Sequence, residues 1–160
     1  MIRFTERQIE AFLLERKPLP ADYRKRLELR QKKGHKEQSL EIKGSEGSDF
    51  QVILRQSSLN HLDFSVILAV CPRETNLSFR LRRYNGKSHE HTNRIEGTKF
   101  FDFHVHTATE RYQDLGVKED SFAEPTERFS DLSSALNCMF QECAFDVPGD
   151  DQPSLFQELE

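Results

Sequence analysis

Four histidines stand in two pairs, His89-Glu90-His91 and His104-Val105-His106. Histidine is the only side chain whose ordinary pKa lies near neutrality, so clustered imidazoles suit proton transfer or metal binding. Two histidines one residue apart on a strand point to the same face. Just upstream, Arg80-Leu81-Arg82-Arg83-Tyr84 supplies cations and a phenol, and Asn93 follows the first pair. Glu110, Arg111 and Tyr112 follow the second pair. Three chemistries fit these residue types. One is acid–base cleavage of a phosphodiester, with one His removing a proton, another donating one, and an arginine stabilising the developing charge. The second is a metal site, because imidazole suits Zn, Ni, Cu or Fe. The third is structural, with neutral histidines that hydrogen-bond across a strand pair and fix a loop.

Strand phase decides which residues share a face. Leu77, Phe79 and Leu81 alternate with Arg80, Arg82 and Tyr84, and Phe101, Phe103 and Val105 alternate with Asp102, His104 and His106. The apolar sets belong to a core. The polar sets then share the opposite, wet face of an antiparallel sheet. His89, His91 and Asn93 lie on the connection between the two strands. In the phosphodiester reading the catalytic set is His104, His106, His89, His91 and Tyr84. The substrate-binding set is Arg80, Arg82, Asn93, Glu110 and Arg111. His-x-His supplies only two ligands where a stable site needs three or four, so neither a stoichiometric metal nor a cofactor is expected. A metal-dependent enzyme stays open as a third alternative.

The surrounding elements follow from periodicity. Thr5-Glu6-Arg7-Gln8 is a capping box, and Ile9, Phe12, Leu13 and Arg16 repeat at helical spacing, which predicts a helix over 6–16. Pro18 and Pro20 end it, and a second helix or turn-rich arm spans 21–31. From Ser39 the period becomes two. Strands are predicted around Leu40-Ile42, Phe50–Leu54, Leu62–Val70, Leu77–Tyr84 and Thr98–His106, with short connections that imply a meander. Ser130 is the expected N-cap of a last helix whose stripe is Leu132, Leu136, Met139, Phe140 and Cys143. The fold class is α+β: a five-stranded antiparallel sheet with the N-terminal and C-terminal helices packed on one face. Residues 1–147 form a single domain, and 148–160 form an acidic flexible tail.

Composition narrows the function classes. The chain has 160 residues, 36% hydrophobic and 31% charged, with a formal net charge of −4. No apolar run reaches the length of a membrane span, and no signal-peptide core follows Met1, so a cytoplasmic protein is expected. Cys71, Cys138 and Cys143 lack metal-type spacing and read as reduced thiols. The charge is polarised: Arg16–Lys43 is rich in Lys and Arg, and the end of the chain is acidic. A basic stretch can meet phosphates.

The stretch from Arg80 to Phe145 resembles an uncharacterised prokaryotic family of unknown function. The resemblance rests on the strand Phe79–Tyr84, on Ser88-His89, on Phe103-His104-Val105-His106, and on Phe129-Ser130-Asp131-Leu132-Ser133. The layout is also similar to the TumE-like toxin family, with Asn85 where that pattern carries Asp. The resemblance implies a toxin-like protein acting on RNA, with RNA and a cognate antitoxin as partners. A non-enzymatic interaction protein, such as a mobile-element inhibitor or an antitoxin-like binder, is the alternative.

Overall fold

The structure is a computed structural model that describes residues 2–149. The expectation of an acidic tail therefore falls, beyond Gly149, outside the described residues. The elements in chain order are α1 (Glu6–Leu14), β1 (Lys17–Pro18), α2 (Tyr23–Arg26), β2 (Arg30–Gln31), β3 (His35–Lys43), β4 (Asp49–Ser57), β5 (Phe64–Val70) and β6 (Phe79–Asn85). There follow β7 (His91–Thr92), β8 (Lys99–Phe100), β9 (His104–Thr107), α3 (Glu110–Leu115), β10 (Phe122–Pro125), α4 (Leu132–Glu142) and β11 (Phe145–Asp146). Among the described residues no helix is long and apolar enough to cross a membrane.

The main sheet is antiparallel and has seven strands, in the order β10-β9-β6-β5-β4-β3-β2. The α+β class and the meander agree with the sequence, but the count of five strands does not. The two extra strands lie at the sheet edges. Neither has an alternating pattern to reveal it: β2 is two exposed polar residues, and β10 ends in a proline. The expected strand over 98–106 is two strands. Lys99–Phe100 pairs with His91–Thr92 in a small hairpin outside the main sheet, and only His104–Thr107 joins β6. Between them Phe101 is half exposed, not core.

Both terminal helices pack into one core cluster with the inner sheet face. Ile9 of α1 and Leu136, Met139 and Phe140 of α4 meet Val52, Val66, Leu68 and Leu81. The α1 capping box forms as its sequence requires, with Thr5 and Gln8 bonding reciprocally. The cap of α4 is Asp131 rather than Ser130, because Asp131 accepts from the Ser134 amide while Ser134 reaches back. Lys17 ties α1 to α4. Its buried ammonium donates to the carbonyls of Phe12, Leu13, Glu15 and Cys143 at 2.7–3.2 Å. It thereby satisfies carbonyls at the ends of both helices that would otherwise be orphaned. Gly86 ends β6 where a Cβ would sit 1.9 Å from the Leu62 carbonyl, so only glycine allows that approach.

One irregularity in β6 redirects the functional face. Leu68 faces Arg82 and Ala69 faces Arg80, so Leu81 is an extra residue in a β-bulge. Phe79 and Leu81 point into the core as expected. Beyond the bulge the phase inverts. Arg82 and Tyr84 turn to the helix side, while Arg83 and Asn85 take the opposite face beside β9.

Candidate metal centre

The alternation in β9 holds where it matters. Val105 joins the core cluster, and His104 and His106 project from the other face of the sheet. That face is not wet here. His104 is 1% and His106 4% exposed, because the β7–β8 hairpin folds over them. The hairpin brings His91 against both rings, with centroids 5.5 Å from His104 and 4.9 Å from His106. Phe100, the cross-strand partner of His91, packs on His91 and His104 at 5.3 and 5.5 Å. Each of His91, His104 and His106 offers a ring nitrogen within 4.8 Å of the other two.

Hydrogen bonds set the tautomer of each ring. Nδ1 of His104 lies 2.8 Å from the Asp102 carbonyl, and Nδ1 of His106 lies 2.7 Å from the Asp120 carbonyl. A carbonyl oxygen only accepts, so both Nδ1 atoms carry hydrogen and both Nε2 atoms keep a lone pair. His91 is fixed by Asn93. The Asn93 amide donates to the Ala123 carbonyl and accepts from the Ala123 amide, at 2.8 and 2.9 Å, as a neighbouring strand residue would. A further donation to Thr98 Oγ1 leaves the Asn93 oxygen as an acceptor. His91 Nε2, at 2.8 Å, must therefore donate to it, and His91 Nδ1 keeps the lone pair. Carbonyl-type partners of this kind orient metal-binding imidazoles.

Burial keeps the two strand histidines neutral. Desolvation pushes His104 down to about 4, and the neighbouring imidazole of His91 and guanidinium of Arg83 push the same way. Deeper burial, followed by the charge of Arg83, pushes His106 down to about 2. A neutral imidazole is the form that binds metal. As a pair of acid–base groups the same residues are poorly set: both are neutral at pH 7 and neither reaches the surface.

Unpaired polar atoms gather on this face. His104 Nε2, Asn85 Oδ1 and Asp120 Oδ1 are buried and find no hydrogen-bond partner among the described residues. Such atoms are costly in an interior unless a ligand, an ion or water meets them. Asn85 lies across from His104 in the β6–β9 ladder, and Arg83 lies across from His106. The buried Asp120 carboxylate accepts from Arg83 Nε at 3.0 Å and stands 3.9 Å from Arg80.

The other residues singled out from sequence go elsewhere. Tyr84 and Arg82 leave the histidine face because of the bulge. The Tyr84 hydroxyl donates to Glu142 at 2.8 Å and its ring packs on Phe129, while Arg82 lies 3.6 Å from Glu142. His89 is exposed and meets Ser88. Glu110 pairs with Arg3 at the start of α3. Arg111 pairs with Glu96 at 2.8 Å and covers the Phe122 ring. Arg80 and Asn93 stay near the centre. Asn93 is 3% exposed, and its carboxamide is engaged by His91, Thr98 and Ala123. Arg83, Asp120 and Asn85 join this face without a sequence signal that places them there. A bulge shifts strand phase without a local sequence signal, and Asp120 arrives from a loop 14 residues beyond His106.

Comparison of this chain with protein-family models, with curated proteins and with solved structures finds no match.

Proposed function

We propose that this protein binds a divalent transition metal through His91 Nδ1, His104 Nε2 and His106 Nε2. The observation that carries the reading is the convergence of three imidazoles whose outer nitrogens are each engaged by a carbonyl-type oxygen. Metal–nitrogen bonds of ~2.1 Å in a tetrahedron place the nitrogens about 3.4 Å apart. One nitrogen of each ring already lies within 4.8 Å of the other two, and the rings draw closer on binding chiefly through His91, which is half-buried on the hairpin. Binding would also give His104 Nε2 its missing partner. An ion held by three imidazoles keeps a fourth position for water or substrate and acts there as a Lewis acid. The chain supplies orientation through Asn93, Asp102 and Asp120, and a largely dry wall through Phe100.

The RNA-directed, toxin-like reading is compatible with this centre only with altered roles. His104 and His106 serve as ligands, not as the general acid and base, and Tyr84 and Arg82 take no part. The test is calorimetry of Zn(II) binding to chelator-treated protein, with elemental analysis of the product. One zinc per chain is expected, with loss of the tight site in His104→Ala and in His106→Ala. Equal zinc binding by wild type and both variants rules the centre out.

A further inference from the structure

On the buried face around the three histidines, two arginines meet one buried carboxylate. The Arg83 guanidinium is the cross-strand partner of His106, and Asp120 holds both residues, one through its carboxylate and the other through its carbonyl. Arg80 stands 3.9 Å from the same carboxylate. Asp120 thus faces two arginines, the Glu119 carboxylate accepts from the Arg80 backbone amide, and a divalent ion would add two further positive charges. The covering segment adds little to that balance, with Lys87, Arg94 and Lys99 against Glu90 and Glu96. Buried charge with that balance is costly unless an anion joins it.

Donors are present to meet one. Arg83 spends Nε on Asp120, and no bond ties its two terminal nitrogens to the described residues. Asn85, 5% exposed, has a side-chain oxygen without a partner and lies across from His104. An amide can present either its oxygen or its NH2 group, so Asn85 can turn a donor toward an anion. Resting on the metal-centre reading above, we propose that the substrate or ligand of this centre is a phosphate-type oxyanion. One oxygen takes the open metal position, a second meets the Arg83 terminal nitrogens and a third meets the Asn85 amide. Three donors of different kinds match a tetrahedral oxyanion better than a two-oxygen carboxylate. Charge-assisted bonds from a guanidinium are among the strongest available to such a group.

The test uses the full chain loaded with Co(II), whose visible spectrum reports the fourth ligand, titrated with inorganic phosphate and, separately, acetate. Phosphate is expected to change the spectrum saturably and at lower concentration than acetate. Arg83→Gln and Asn85→Ala are each expected to weaken phosphate binding, by at least about tenfold for Arg83→Gln. Asn85→Ala removes a side chain with no hydrogen bond among the described residues, so it guards against a folding failure in Arg83→Gln. Bound cobalt with no response to phosphate overturns the oxyanion inference and leaves the metal centre standing. Acetate binding as tightly as phosphate, or undiminished phosphate binding in Asn85→Ala and in a folded Arg83→Gln, overturns the inference as well. Failure to bind cobalt removes both readings.

Discussion

The carboxamide oxygen of Asn93 lies 2.8 Å from Nε2 of His91, and the Ala123 backbone fixes which end of that amide faces the ring. One side chain therefore performs two tasks. It docks the β7–β8 hairpin on the outer edge of β10, and it selects the tautomer that leaves His91 Nδ1 free to bind. The hairpin and the third imidazole come to the sheet together.

Asn93→Ala should thus lower metal affinity without removing any ligand. Outer partners of metal-binding histidines typically contribute ~10–100-fold in affinity. A competition titration against a chromophoric chelator would read this. The expected loss is about that range, with one metal per chain still reached at saturation. Unchanged affinity would mean that His91 needs no orienting partner.

The neutral, buried state of His104 and His106 makes the metal-free protein acid-sensitive. Both have folded pKa values below their ordinary value, at about 4 and about 2 against 6.5, chiefly through burial. Below pH 6.5 the unfolded chain binds protons on these imidazoles and the folded chain does not. Stability is therefore full above that pH and falls as the pH drops toward 4, by up to roughly 1.4 kcal/mol per pH unit for each histidine. Urea midpoints of chelator-treated protein at pH 7, 6, 5 and 4 would show the slope. His106→Gln should flatten part of it. An equal slope in wild type and variant would place the acid sensitivity elsewhere.

Tyr84 should matter to folding and not to the centre. Its hydroxyl bonds Glu142 on the helix side of the sheet. Tyr84→Phe leaves a half-buried carboxylate short of one partner and should cost about 1–2 kcal/mol in urea denaturation. Metal affinity should not change. A loss of metal binding at unchanged stability would return Tyr84 to the histidine face.

Much of this arrangement was legible in the residues. Thr5 and Gln8 announced the capping box, and the period of two in Phe50–Leu54 and Leu62–Val70 gave the central meander. The alternation of His104 and His106 with Val105 gave their common face. What escaped was non-local. The bulge at Leu81 exchanged Arg82 and Tyr84 for Arg83 and Asn85, although the strand's composition looks the same in either phase. The break near Asp102 turned one expected strand into a hairpin strand and a sheet strand. That break lets His91 fold back as a third imidazole, so two apparent ligands became three. Asp120 reaches His106 from a polar loop whose sequence carries no sign of burial.

Zinc K-edge X-ray absorption on the zinc-loaded protein counts the imidazoles on the ion and so tests the three-histidine centre itself. A three-histidine centre gives three nitrogen neighbours with imidazole outer-shell scattering at ~2.0–2.1 Å and one further light atom. His91→Ala should reduce the imidazole count to two. A zinc ion bound through fewer than three imidazoles in the wild type, or a spectrum unchanged in His91→Ala, would contradict it.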